Sequence, residues 1–290
     1  MTIARVARWL IWPAGLIAHS VLVIAAAVIA PAVLSPVAAA TTVLLTVILL
    51  VVESWLPYRT DWSLRGDPEI WRDLGHAVMY AGLAVNTSRL LFLVLAPRVI
   101  AVVPFASAFR VWPAAGPIWV QVLLAIVLGD LLEYVYHRAS HHSAFLWRLH
   151  AIHHTPVRLH VLKGARHHAG YAIGRGVFVW LPLLIVGAPP AIVIWQFIAV
   201  TITGLAAHAN VAYRIPACAH RLAVTPEYHR VHHAADPRLG NANFAAVFPL
   251  WDFLFGTHAD PLTVEVTDAG IRNDPISRDF VAELRWPLSG

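Results

Sequence analysis

Eighteen residues, His137 to His154, read HRASHHSAFLWRLHAIHH, and six of them are histidine. They fall as His137-x3-His141-His142 and His150-x2-His153-His154, and the second spacing returns as His229-x2-His232-His233 in EYHRVHH. Side chains three and four positions apart share a helix face. His137 and His141 therefore make one helical pair, and each HxxHH makes a cluster one turn deep. Imidazoles this close repel one another when protonated, whereas neutral imidazole is a ready ligand for iron, zinc, copper or nickel. Eight such histidines exceed the needs of one tetrahedral ion. They fit two adjacent metals or one large nitrogen-rich site. The single cysteine, Cys218, excludes an internal disulfide and a Cys-rich metal site.

The rest of the chain has the composition of an integral membrane protein. Hydrophobic residues make up 59% and charged residues 13%, about half the charge of a soluble domain. The formal charge of +5 is carried largely by arginines that flank apolar stretches, which fits positive-inside flanks better than nucleic-acid binding. Arg5 and Arg8 precede an apolar stretch over 10–30; a second stretch follows at once, which predicts a retained span rather than a cleaved signal peptide. Pro31, Ser35 and Pro36 predict a turn, and Val37 to Trp55 a second span, with Glu53, Trp55 and Tyr58 at the interface. Residues 57–75 predict a polar loop or surface-lying helix, 76–96 a third span containing Asn86 and Arg89, and 97–116 a proline-rich return. Pro117 to Tyr136 predicts a span that runs straight into His137. The segment 172–207, broken at Gly187-Ala188-Pro189-Pro190, predicts a membrane hairpin that returns His208 to the histidine side. Counting crossings from a cytoplasmic N-terminus places every histidine cluster on the cytoplasmic side.

Asp130 and Glu133 lie seven and four residues before His137 on the same helix face. They are the candidate catalytic carboxylates. A ligand histidine needs an acceptor for its outer N–H, and one of these acids is predicted to supply it; the alternative is a solvated interfacial pair. His208, in GLAAHANV, joins the candidate ligands, and His167 and His168 are weaker ones. His19, His76, His160, His220 and His258 read as structural. Asn243 and Trp251 to Thr257 close the polar region, with Trp and Phe packing under the metal helices and Gly256 capping a turn.

Together, Asp130 with HRASHH (137–142), LWRLHAIHH (146–154), HAN (208–210), TPEYHRVHH (225–233), NANF (241–244) and WDFLFGT (251–257) resemble the fatty acid hydroxylase and sterol desaturase superfamily. The resemblance implies an all-α fold: a multi-pass membrane domain of about four spans plus a hairpin, under a cytosolic histidine-rich helical cap. It divides the chain into N-terminal spans (1–116), a di-metal catalytic unit (117–258) and a polar C-terminal tail (259–290). It implies metal ligands at His137, His141, His150, His153, His154, His208, His229, His232 and His233. The implied cofactors are two iron ions, with zinc as a substitute, O2 as co-substrate and an external electron donor. Two departures stand out. The family's His-Pro-x-Glu element is replaced by His168-Ala169-Gly170-Tyr171, and a further histidine found in some members is Gly204 here.

The implied reaction is hydroxylation or desaturation of a C–H bond in a fatty acyl, sterol or related isoprenoid lipid that enters from the bilayer. Such a bond is too strong for acid–base attack, so a metal carries the hard step. The chain has no Rossmann, flavin or Cys-ligated cluster motif, so electrons are expected from a separate reductase, ferredoxin or cytochrome. Three other readings compete. A metal-binding or metal-transporting membrane protein without oxygenase activity would place ionisable groups at the bilayer midplane. A haem subunit would pair axial histidines within its helices. An acyl desaturase of unrelated fold would lack the WDFLFGT tail and the close HRASHH–HAIHH spacing.

Overall fold

The computed structural model describes residues 8–9, 34–102 and 108–289. The first expected span, Pro31 and His19 lie outside the described residues. Within them the fold is helical, with no strand and two isolated bridges, Pro57 to Val211 and Ala234 to Ala269. Helix α1 (Leu34–Trp55) begins earlier than expected, and Pro36 sits in its first turn, where a missing N–H breaks no helical bond. It turns Val43, Leu44, Val47 and Ile48 outward and buries Leu45 and Leu49 with Ile198 and Ile202. Thr42 and Thr46 donate their hydroxyls to carbonyls four residues back, so neither leaves a polar group bare. Glu53, expected at the interface, is buried instead and accepts the backbone N–H groups of Val161 (2.7 Å) and Asn210 (2.8 Å).

Helix α2 (Ile70–Val102) is longer at both ends than the span expected over 76–96. Its 33 residues reach about 50 Å, well beyond a hydrocarbon core of about 30 Å, so its first turns belong to the polar region. Two π-helical stretches, Ala77–Ala84 and Leu90–Leu95, interrupt it. The second precedes Pro97, whose ring and missing N–H are absorbed by the widened turn, so the helix continues where the proline predicted an end. Helix α3 (Ile118–His142) carries the span through the first histidine box without a break. Ser143 ends it and caps helix α4 (Ala144–His154), its hydroxyl accepting the Leu146 N–H.

The hairpin forms as helix α5 (Ala169–Ile185) and helix α6 (Pro190–His208), joined at Gly187 with φ of 96°, a left-handed conformation that glycine adopts freely. By length and composition α6, with α1, α2 and α3, is able to cross a membrane; α5 is shorter. A side chain at Gly129 of α3 would collide with Gln196 of α6, so this glycine sets how closely the two helices approach. Beyond α6 the chain forms short helices, chiefly α7 (Pro226–His232), α8 (Leu250–Leu254) and α9 (Phe280–Arg285).

A buried ion network joins the ends of this arrangement. Lys163 Nζ meets Asp73 (2.6 Å), Asp67 (2.9 Å) and Glu69 (3.2 Å), and Arg166 meets Glu69 (2.8 Å) and Glu283 (2.5 Å). His160 binds Asp67 (2.9 Å), and His76 binds Glu283 (2.7 Å). Asp67, Asp73 and His160 lie close enough together to suggest a metal site, but Lys163 already stands among their carboxylates. The last residues are thus tied into the interior through Glu283. Burial alone would raise these acids, yet their cationic and histidine partners outweigh it and hold Asp67, Glu69 and Glu283 below ordinary values of 3.8, 4.5 and 4.5.

Removing one partner of such a network leaves uncompensated buried charge, so Glu283→Ala should destabilise the folded chain by about 3–5 kcal/mol. The three acids bind protons more weakly folded than unfolded, so their contribution is present above their ordinary values and is lost as pH falls through about 4 and below. Thermal midpoints of the detergent-solubilised chain check both; a Glu283→Ala midpoint equal to wild type would show that the C-terminal helix anchors nothing.

Candidate metal centre

The nine expected ligands converge, and they separate into two groups. His137, His141, His150, His154 and His232 form one, and His153, His208, His229 and His233 form the other. Within each group one ring nitrogen per residue lies within 4.8 Å of all the others. The division follows helix geometry. In each HxxHH the i, i+4 pair points one way and the i+3 histidine the other. His150 and His154 enter the first group while His153 enters the second; His229 and His233 enter the second while His232 enters the first. His137 and His141 of α3 complete the first group and His208, at the end of α6, the second. His142 turns away, its Nδ1 against the Arg138 carbonyl, and is exposed.

Hydrogen bonds fix which nitrogen faces inward. The Nδ1–H of His137 donates to the Phe244 carbonyl (2.7 Å), that of His208 to Gly204 (2.7 Å) and that of His232 to Ala242 (2.8 Å). Each such bond leaves a lone pair on Nε2. Those Nε2 atoms crowd together: His137 and His150 at 3.1 Å, His150 and His154 at 3.1 Å. His208 lies at 3.1 Å from His153 and His229 and at 3.2 Å from His233. One proton cannot serve so many acceptors, and lone pairs this close repel. Nitrogens bound at about 2.0–2.1 Å to a shared cation sit about 3 Å apart, so the donor sets fit one ion each. His141 Nε2 and His232 Nε2 are buried with no hydrogen-bond partner among the described residues, as inward-facing ligands would be. Burial, followed by the neighbouring imidazoles, holds His150, His153, His154, His229, His232 and His233 well below the ordinary 6.5. They are neutral, which is the ligating form.

The expected hydrogen bond from a ligand histidine to Asp130 or Glu133 is not made. Asp130 accepts the N–H groups of Val247 (2.8 Å) and Phe248 (2.9 Å) and the Trp251 indole (3.1 Å). Glu133 pairs with Arg175, whose Nε lies at 2.7 Å. The physical reason is that both acids find stronger donors closer at hand, while backbone carbonyls serve the imidazoles. Asp130 nonetheless steers the centre at one remove. It pins the loop after Phe244, whose carbonyl receives His137. Asp252 completes that support by accepting from Phe244 N (2.9 Å), Ala245 N (2.7 Å) and the Tyr228 hydroxyl (2.8 Å). Asn243, at φ of 58°, binds the carbonyls of Tyr228 (3.1 Å) and Ala259 (2.9 Å). NANF and WDFLFGT are therefore a hydrogen-bonded frame for two ligands, beyond the packing role read from sequence. Gly256, at φ of 68°, ends α8 as expected.

His167 and His168 part company. His167 is buried and stacks on His153, ring centres 3.9 Å apart. His168 caps α5, its Nδ1 accepting from Gly170 N (3.0 Å) while Nε2 donates to the Leu284 carbonyl (3.1 Å). Gly164 lies under His208, and a Cβ there would come within 3.1 Å of its Nδ1. His76 and His160 sit in the ion network, and His220 bonds Thr225 (2.7 Å). Arg175 and Gln196 were missed in the sequence, and Asp252 was read only as part of the WDFLFGT run. A cation inside the apolar run 172–207 was the available signal for the first.

Metal analysis of the purified chain should give about two ions per chain. His154→Ala and His153→Ala should each lower that content while the chain still inserts into membranes, and His220→Ala should not. A His153→Ala protein with the full wild-type content would remove that residue from the centre.

Comparison with known proteins agrees with this geometry. Residues 122–257 match the family described as Fatty acid hydroxylase. Over 242 residues the chain is 31% identical to an ornithine lipid hydroxylase, OlsE, of Rhizobium tropici, covering 82% of this chain and 71% of that protein. It is 27% identical over 144 residues to an alkylglycerol monooxygenase of Caenorhabditis elegans, covering 48% of this chain and 28% of that one. A Danio rerio alkylglycerol monooxygenase is 26% identical over 148 residues, 51% of this chain and 32% of that one. No solved structure matches. The two histidine groups, their frame and the extent of the first of these likenesses lead to one conclusion: the chain belongs to the fatty acid hydroxylase family.

Proposed function

We propose that this membrane protein is a di-iron oxygenase that hydroxylates a C–H bond of a lipid drawn from the bilayer. The observation that carries this reading is a largely apolar cavity of about 490 Å³, walled by α1, α2 and α6, that ends on His137, His150, His153, His208 and His229. An alkyl chain lying among Val43, Val47, Val85 and Ile198 would bring one carbon to the inner nitrogens. All-imidazole sets suit iron, and iron, when bound, supplies the activation of O2 that a strong C–H bond requires. One oxygen atom enters the C–H bond and the other leaves as water, with two electrons and two protons delivered from outside. The chain's own contribution is to hold nine neutral imidazoles in place, to fix their tautomers through the Phe244, Ala242 and Gly204 carbonyls, and to keep the cavity dry. The external donor is a separate reductase, ferredoxin or cytochrome, which meets the histidine-bearing side. The relatives named for acting on an ornithine lipid and on alkylglycerols support a lipid substrate. A metal carrier is disfavoured, because the histidines lie at helix ends and the path leading to them is apolar.

Lipid mass spectrometry of cells with and without the gene should reveal a lipid gaining one oxygen atom, and His232→Ala should abolish it. Identical lipid profiles would overturn the assignment.

We further place the histidine side in the cytoplasm, on the strength of Arg138, Arg148, Arg158, Lys163 and Arg166 around it. The one cysteine, Cys218, is exposed on that side, and a membrane-impermeant maleimide should label it only after permeabilisation. Val111, exposed in the loop between α2 and α3, should label from outside as Val111→Cys in a Cys218→Ser background. Labelling of Cys218 in intact cells would reverse the orientation.

A further inference from the structure

One polar cluster in the cavity is left over after the metal centre is accounted for. Glu133 lies one helical turn, about 5.4 Å, before His137 and faces the same cavity. It is 4% exposed. Among the described residues its hydrogen bonds and ion pair all fall on one oxygen. Glu133 Oε1 accepts from Arg175 Nε (2.7 Å) and Gln196 Nε2 (3.4 Å), with Arg175 Nη2 in ion-pair contact at 2.5 Å. Oε2 receives none of them. Arg175 and Tyr80 both line the cavity beside it. The guanidinium therefore holds the carboxylate by Oε1 on a cavity wall that also carries His137, His150 and His153, which leaves Oε2 as the oxygen available to a ligand there. Glu133 stands on the cavity wall, and ionisable groups at membrane depth mark binding paths. For an apolar chain alone this wall would repel its ligand.

We infer that Glu133 Oε2 accepts a hydrogen bond from the lipid substrate, which carries a hydroxyl, ammonium or amide N–H within a few bonds of the carbon that is oxidised. The inference rests on the oxygenase reading and narrows its substrate class. The reacting carbon lies near a polar donor and not in the middle of an unbroken alkyl chain. Arg175 is a positioning residue: it presents Oε2 and keeps Oε1 occupied. Glu133→Gln makes a sharp test. Arg175 still needs an acceptor at the Oε1 place, so the amide nitrogen must take the Oε2 place and turn an acceptor into a donor.

The test uses the full metal-loaded chain in detergent micelles and three probes of matched length: hexadecan-1-ol, hexadecylamine and hexadecyl methyl ether. Affinity is read by titration without turnover. Wild type should bind the alcohol or the amine at least about tenfold more tightly than the ether, as a bond to a charged acceptor allows. Which of the two binds more tightly identifies the donor. Glu133→Gln, checked for unchanged metal content and thermal midpoint, should lose that preference and favour the ether. Wild type that binds all three alike overturns the inference, and so does a folded Glu133→Gln protein that keeps the wild-type order. If the variant fails to fold, the wild-type comparison decides alone. Lipid profiles unaltered by the gene would sink the oxygenase reading; intact lipid oxidation without a donor preference would sink the subsite only.

Discussion

The whole arrangement turns on lone pairs brought closer than they would choose to be. Nitrogens about 3 Å apart, buried and unprotonated, are stable only around cations, and the rest of the chain is organised to hold them there. Helices α3 and α4 supply i, i+4 pairs without strain, and α6 delivers His208 from the membrane side. Carbonyls from the 242–244 segment take the outer protons. Carboxylates stay one layer further out, where Asp130 and Asp252 organise backbone and leave the imidazoles alone. Neither group includes an acid among the described residues, so an ion held there would keep its full positive charge.

A second layer of organisation is electrostatic. The network of Asp67, Glu69, Asp73, Lys163, Arg166 and Glu283 lies where the first turns of α2 meet the loop after α4. That loop carries Gly164, on which the His208 ring rests, and leads to His167, which stacks on His153. A buried set of paired charges is weak evidence of net stability but strongly dictates geometry, because each member has few places to go. The loop is thereby located from both ends of the chain.

Much of this was legible in the sequence. The convergence of the histidine clusters was, because helical spacing converts HxxHH directly into shared faces and because imidazole has few other reasons to cluster. The hairpin break at Gly187 to Pro190 was, because glycine and proline limit backbone angles locally. The extent of α2 was not: a polar start and Pro97 read as boundaries, while buried ion pairs and a π turn absorbed both. Nor were the partners of Asp130, Glu133 and Glu283, since their donors lie 42 to more than 100 residues away and spacing along a chain says nothing about them. Helix phase placed Glu133 on the correct face but could not reveal Arg175 waiting there.

The sharing of each HxxHH between the two groups has a mechanical consequence. His153 and His154 are consecutive on α4, as His232 and His233 are at the end of α7, yet the two neighbours belong to different histidine groups. Any roll of α4 or α7 about its axis swings both rings at once and so shifts both histidine groups together. The two centres are geared like wheels on common shafts. With an ion held in each group, a displacement of the rings around one would be passed to the other through helical backbone.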